Sequence, residues 1–425
     1  MFLSSRPLMK LIFLLFFVGC TSISEMVFLK KHKKLYSRPD WENPKTLNSK
    51  EKRIVIVGTN DFLNAVDEKV EKSKEKNGQL STDFKVGGAQ IISSYYNILK
   101  KRYKNSILLV DAGNLNRKFY GQEELGRTNS FYDYLGYDVM GLGQNDLKYL
   151  PGKAPIKDEL YIQFKKSKTP IVASNLIDLS SGQNIQNDQI HPYLIKKING
   201  VEIAIIAVVS PEIAGHIQLD KLKGLYIEQM AKSIIEKAQL ARSKKAKIVI
   251  LLANVEFTCG KNLAIQNGVP YEAVQYSVHD QHACQENSEL KNLLAQLPPG
   301  MIDAVFSSGQ YNKSNYFIQG IPVVQSFSDG RFFGQLDLVF DQQSGQIVKN
   351  KTIIHPPTKF CHHFFESTHD CFGIDPNSNH SKLIQAKFLG LPINADIKAT
   401  KFHQLLPRFE SPVKVSRKSE NTTSK

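Results

Sequence analysis

The sequence predicts an α/β fold. Three observations carry that prediction. Short β-branched runs recur along the chain, segments of helical spacing separate them, and most runs end in polar loops rich in Asp, Asn and Gly. Residues 54–57 form a continuous apolar run, the pattern of a buried strand. Residues 87–103 have helical spacing and end on Lys100, Lys101 and Arg102, cations suited to a helix C-terminus. Residues 106–110 give the next strand, which runs into Asp111, Ala112, Gly113 and Asn114. A helical stretch over 129–135 leads to a strand over 137–142. Further strands are predicted at 171–173, 201–209, 248–252, 304–306 and 323–325, with a helix over 227–244 joining two of them. Residues 335–340 close the pattern as an alternating strand. Strands separated by helices imply a mainly parallel or mixed sheet, and in such sheets the loops at the carboxyl ends of strands build the site.

Hydrophobic residues make up 41% of the 425, enough for a sizeable core, and the length fits one large domain or two smaller ones. No internal repeat is visible. Arg6 and Lys10 precede the apolar run LIFLLFFVGC, which ends on Cys20. A short cationic region before roughly 7–15 apolar residues reads as a secretory signal. It is shorter than the about 20 residues a membrane span needs. Phe17, Val18, Gly19 and Cys20 are similar to a lipobox, so residues 1–20 are expected to be a lipoprotein signal with Cys20 lipidated. That places the chain in a bacterial cell envelope. With no acidic residue after the cysteine (Thr21), the outer membrane is the expected destination.

Residues 21–52 contain KKHKK, Pro39 and Pro44, and read as a basic flexible tether. They carry part of the net charge of +15, and beside an anionic membrane such a segment gains about 1 kcal/mol per charge. The main domain is expected over 53–345. A cysteine- and histidine-containing extension follows over 346–410, then a disordered basic tail over 411–425. Beyond Cys20 the cysteines are Cys259, Cys284, Cys361 and Cys371. An even number in an oxidising compartment points to two disulfides; three pairings are open, and short loops favour Cys259–Cys284 and Cys361–Cys371.

The strand-end loops carry a resemblance. IVIVGTNDFLNAV, Gly87-Gly88-Ala89, ILLVDAGN, LGYDVMGLGQNDLKYL, VASNLID, IKKINGVEIAIIAVVSPEI, IVILLANVEF and PVVQSFSDGRFFGQLDLVFD occur in that order. Together they resemble the catalytic domain of bacterial 5′-nucleotidases, of the calcineurin-like metallophosphoesterase superfamily. The resemblance implies a four-layer α/β/β/α sandwich of two mixed sheets. It also implies a site for two divalent cations that activate water and clamp a phosphoryl oxygen. Such a centre needs carboxylates and neutral imidazoles.

Position by position, that ligand set is depleted. Asp61 stands at the Asp of the first motif, but Leu63 replaces its histidine. Asn114 stands where the bridging Asp belongs, and an amide brings no negative charge to a bridge. Gly143-Gln144-Asn145-Asp146 occupies the Gly-Asn-His-Glu motif, so Asn145 replaces the histidine that stabilises the transition state. Lys148 stands where the acid orienting that histidine belongs. Ala253-Asn254 replaces Ser-His, and the Gly-Gly-His-x-His motif is occupied by Ser307-Ser308-Gly309-Gln310-Tyr311, with Gly309 and Tyr311 at its last positions. Only Asp61 keeps its type, so no cofactor is expected. In place of metal ligands, Asn114, Gln144, Asn145 and Asn254 offer amides that suit turns, or hydrogen bonds to a sugar or peptide.

Two Cys/His clusters offer zinc as an alternative to disulfides: His279, His282 and Cys284, and Cys361, His362 and His363 with His369, Asp370 and Cys371. No Cys-x-x-Cys-His, nucleophile elbow or P-loop is present. The expectation is a non-catalytic envelope lipoprotein, a binding or structural module that meets the membrane through its lipid. An envelope protein, a glycan or anionic lipid is the expected partner, rather than nucleic acid. The alternatives are a metal-dependent phosphoester hydrolase of 5′-nucleotidase type with an atypical site, and a Cys/His metal-binding envelope protein.

Overall fold

The computed structural model describes residues 46–74, 80–118, 120–255, 257, 288–309, 314–373 and 382–402. Cys20, the expected lipidation site, most of the segment 21–52, Cys259, Cys284, Tyr311 and the residues beyond 402 lie outside the described residues.

Along the chain, β1 (Glu51–Thr59) is followed by β2 (Glu68–Lys74), β3 (Leu80–Gly87), helix α1 (Ala89–Tyr103), β4 (Ile107–Asp111) and α2 (Gln122–Leu135). Then come β5 (Val139–Gly141), the short α3 (Gln144–Lys148), α4 (Ile156–Phe164), β6 (Ile171–Val172), β7 (Leu176–Asp178), β8 (Gln183–Asn184) and β9 (Ile190–His191). The second half gives β10 (Leu194–Ile198), β11 (Val201–Val209), α5 (Leu219–Leu222), β12 (Leu225–Ile227), α6 (Met230–Ser243), β13 (Ile248–Asn254), α7 (Glu289–Ala295) and β14 (Ala304–Ser308). It closes with β15 (Ser314–Ile318), β16 (Ile321–Gln325), β17 (Phe332–Asp341), β18 (Gln346–Ile347), β19 (Ile353–Lys359), β20 (His363–Phe365) and β21 (Leu383–Gln385).

Two mixed sheets form the body. One runs β18-β17-β1-β4-β5-β6-β9, with β19 also paired to β17; the other runs β10-β11-β13-β14-β16-β15. Strand β1 is parallel to β4 and antiparallel to β17. In the second sheet β11, β13, β14 and β16 are parallel.

Alternation along each strand explains the layers. Ile54 and Ile56 of β1 join Ile203, Ile205, Ile250, Leu252 and Phe306 in a core between the sheets. Val55 and Val57 face the other way, into a core with Tyr95 of α1, Phe131 of α2 and Leu160 of α4. Val249 and Leu251 of β13 pack on Ile234 of α6 and Leu290 of α7. Both faces of each sheet are therefore buried, which is why β1, β11 and β13 read as continuous apolar runs. The result is the expected four-layer sandwich. At Gly58 the sheets approach so closely that a Cβ would lie 2.3 Å from the Phe306 ring.

Three elements differ from the sequence reading. Glu51 and Lys52, assigned to the tether, belong to β1 and pair with Asp341 and Phe340. The Glu51 carboxylate accepts from Lys351 Nζ at 2.7 and 2.8 Å, and that pairing lets a charged residue start a buried strand. The hairpin of β2 and β3 was not foreseen, because EKVEKSK carries charge on both faces. The chain after residue 345 is built into the sandwich: β19 adds to the first sheet, and Phe360, Phe365, Phe388 and Phe402 join the core around α1 and α2. Within it Cys361 and Cys371 form a disulfide with Cα atoms 5.8 Å apart.

Candidate functional site

Strand register brings the carboxyl ends of β1, β4, β11, β13 and β14 together: Thr59 lies beside Asp111, Val209 beside Asn254, and Asn254 beside Ser308. β1 then exits through a loop in which Asp61, Leu63 and Asn64 take φ of 50°, 55° and 56°. That region is uncommon for non-glycine residues and least suited to leucine among these three. Backbone hydrogen bonds to the neighbouring loop hold it there: Asp61 N to Gly113 O at 2.9 Å, Leu63 N to Asn114 O at 3.2 Å, and Asn64 N to Leu115 O at 2.8 Å.

The buried side chains between these loops form one hydrogen-bonded network. Asn114 Nδ2 donates to Asp61 Oδ1 at 2.6 Å and Asn60 Nδ2 to Asp61 Oδ2 at 2.8 Å. Gly309 N points at both Asp61 oxygens, at 3.2 and 3.1 Å. Asn114 Oδ1 accepts from Asn145 N at 2.9 Å. Asn254 Oδ1 accepts from Gln144 N at 2.7 Å, and Asn254 Nδ2 donates to Ser308 Oγ at 2.6 Å. Ser308 Oγ in turn donates to Ala112 O at 2.6 Å. Both ends of Asn114 and of Asn254 are thus occupied within the protein. The sequence reading offered these amides either to turns or to hydrogen bonds with a sugar or peptide; Asn114 and Asn254, at 6% and 0% exposure, bind the loops to one another.

Asp61, Asn114, Asn145, Asn254 and Gly309 therefore meet. Leu63 is buried beside them, Gln144 and Asn145 are half-buried, and Lys148 is exposed with its ammonium 5.6 Å from the Tyr149 ring. The sequence reading missed the residue that ties the loops together. Asp146, fully buried, accepts from Gly143 N at 2.8 Å, Asn114 N at 2.9 Å and Leu115 N at 3.3 Å on Oδ2. Its Oδ1 accepts from Asn116 N and Asn116 Nδ2, both at 3.0 Å. The visible signal was local: an acid three residues after Gly143, placed to reach back to the free N–H groups at the start of α3.

A third carboxyl, Asp111, lies one layer down. Its Oδ2 accepts from Thr59 Oγ1 at 2.6 Å and Tyr132 OH at 2.7 Å, and its Oδ1 from Gly113 N at 2.8 Å. Burial pushes Asp61 and Asp146 up to about 6 and Asp111 up to about 7, against the opposing pull of their hydrogen bonds. These folded-state values lie above the unfolded ones, so between about pH 4 and 7 these three groups bind more protons in the native state than in the unfolded chain, and their contribution sets the sign. Stability then falls as pH rises through that window. Melting temperature should accordingly be higher at pH 5.5 than at pH 7.5, with the difference reduced in Asp111→Asn. A flat profile across this range would contradict the assignment.

Among the described residues no group of three or more His, Cys, Asp or Glu side chains is placed to hold a metal ion. In the carboxyl-terminal cluster both sulfurs are in the disulfide, and His362 Nε2 lies 2.8 Å from Gly87 O. His279, His282 and Cys284 lie outside the described residues.

No protein-family model matches the chain. It is 24% identical over 310 residues to endonuclease YhcR of Bacillus subtilis, covering 70% of this chain and 23% of that protein. The chain spans 22 to 49% of the length of the curated relatives it matches. Among solved structures, calcineurin-like phosphoesterase YfkN of Bacillus subtilis superposes with a TM-score of 0.50 at 19% identity, over 73% of this chain and 90% of that one. The sulfate thiohydrolase SoxB of Thermus thermophilus gives 0.50 at 13% identity, over 74% and 58%. The structural neighbours include 5′-nucleotidases as well as calcineurin-like phosphoesterases. The chain therefore has the metallophosphoesterase fold. That is the fold the ordered strand-end motifs implied.

Proposed function

We propose that this chain is a non-catalytic module of the bacterial envelope, a metallophosphoesterase fold retained for binding or structure and anchored through a lipid on Cys20. The observation that carries the reading is the 2.6 Å hydrogen bond from Asn114 Nδ2 to Asp61 Oδ1. A dinuclear centre needs several anionic or imidazole donors around a shared pair of cations. Here the one carboxylate at a ligand position already accepts from Asn114, Asn60 and Gly309. A bridging cation would have to displace an amide donor at the position where the bridge requires a negative oxygen. Asn145, Asn254 and Gly309 add no charge, so the residues present do not fit two divalent cations.

The network has a structural use of its own, since it joins the loops after β1, β4, β5, β13 and β14. The basic segment before β1 suits an anionic membrane surface beside the lipid. Gln144 and Asn145 leave half-buried amides at the edge of the site for a polar partner, a glycan or an envelope protein.

The test is metal content and hydrolysis on the full chain, purified oxidised in detergent and exposed to manganese and zinc. Elemental mass spectrometry should find below about 0.1 ion per chain, since two-metal chemistry needs both sites filled. 5′-AMP and bis(p-nitrophenyl) phosphate should remain intact. Two tightly held ions, with hydrolysis abolished in Asp61→Ala, would replace this reading with the phosphoester hydrolase.

A further inference from the structure

A cleft lies at the opposite end of the sandwich from Asp61. It is bounded by the residues before β13 and β14, the β15–β16 turn, and the β17–β18 hairpin, with a volume of about 630 Å³. Lys247 on its rim and Asn254 in the strand-end site bracket β13, so the two regions are roughly 20 Å apart at about 3.3 Å per strand residue. The volume falls within the roughly 300–1,000 Å³ of small-molecule sites.

The lining has two characters. Leu297, Phe317, Ile321, Leu338 and Ile347 give an apolar wall between the edges of the two sheets. Arg242, Lys247 and Lys349 supply three cations against one carboxylate, Asp303. That carboxylate is already engaged, by Arg242 Nη2 at 2.6 Å and by Val249 N at 2.8 Å. Lys247 and Lys349 are exposed at the rim. An apolar wall and a cationic rim complement a molecule with an apolar chain and an anionic head.

We infer that this cleft binds a single-chain anionic amphiphile, its chain against Leu297, Phe317 and Ile321 and its head at Lys247 and Lys349. The site is independent of the strand-end network and of whether that network holds metal.

Isothermal titration of the full chain tests it, with dodecyl phosphate below its micelle concentration as probe and inorganic phosphate and dodecanol as controls. Saturable 1:1 binding of dodecyl phosphate is expected, at least about tenfold tighter than either control, and weaker as salt rises because the rim charges are exposed. Lys247→Glu with Lys349→Glu should weaken dodecyl phosphate by about tenfold or more while leaving the melting temperature and dodecanol binding unchanged. Leu297→Trp, which fills the apolar wall, should weaken dodecyl phosphate and dodecanol together. No saturable binding overturns the inference. So does equal binding of inorganic phosphate, which would mark a simple anion site, or binding unaffected by the double charge reversal.

Discussion

Asp146→Ala is expected to lower the unfolding free energy by about 4 kcal/mol, measured by urea melts followed by circular dichroism at neutral pH. One fully buried carboxylate accepts five hydrogen bonds, from Gly143 N, Asn114 N, Leu115 N, Asn116 N and Asn116 Nδ2. Alanine removes every acceptor at once and leaves the donors without one. Each orphaned buried donor costs about 1–3 kcal/mol, and some relax toward water or one another, so the sum stays below the arithmetic total. Removing the buried charge returns part of the loss, because burial raises Asp146 to about 6. Asp146→Asn discriminates further. It keeps one oxygen but turns the other into a donor facing donors, so a loss of about 2 kcal/mol is expected. If Asp146→Asn is neutral, the carboxylate is not organising these loops. Because the loop after β4 carries Asn114, the alanine variant should also raise proteolysis near residues 113–118, a readout that a uniform loss of core packing would not localise.

The strands of this fold were legible because burial on both faces leaves a simple record. Residues 203–209 have no polar interruption, and they form most of β11. The assembly of the strand-end site was also legible, since parallel strands bring their carboxyl ends to one edge whatever residues follow them. Three things were not. The β2–β3 hairpin pairs charged residues across strands, Glu68 with Lys85 among them, and its pattern matches a solvated linker as well as a strand. The carboxyl-terminal segment earns its place through contacts distant in sequence: Phe388 lies 5.0 Å from Tyr95, and Phe402 lies 5.3 Å from Phe131. No local periodicity encodes such pairs. The inward direction of Asn114 depends on its positive φ and a partner from α3, and that of Asn254 on its place at the end of β13 and a partner from β14. Composition announced amides at the site; only the backbone decided that they bond to the protein.

Lys359→Met should destabilise the chain by about 3 kcal/mol, toward the lower end of the 3–5 expected for breaking a buried ion pair. Lys359 is 6% exposed. Its ammonium donates to Glu71 Oε2 at 2.6 Å and Cys371 O at 2.9 Å, and sits 5.0 Å from the Phe84 ring and 5.4 Å from that of Phe372. Burial lowers its pKa, opposed by Glu71, so the charge is held by its partners and not by solvent. Methionine fills much of the same volume among the aromatic rings, so the loss reports charge and hydrogen bonding more than a cavity. Glu71 keeps Arg331 at 3.3 Å, which limits the penalty. The same network reaches the strand-end loops. Arg331 Nη2 donates to Asp329 Oδ2 at 3.1 Å, and Asp329 N donates to Asp61 O at 2.8 Å. A double-mutant cycle with Glu71→Leu isolates the pair, since neighbours in one network couple by about 0.5–3 kcal/mol. The double variant should be at least about 1 kcal/mol more stable than the two single losses predict, because neither charge is then left buried alone. Strict additivity would mean that Lys359 acts through its aliphatic stem on the aromatic rings, and that the ion pair between β2 and β19 contributes nothing to closing the carboxyl-terminal segment onto the sandwich.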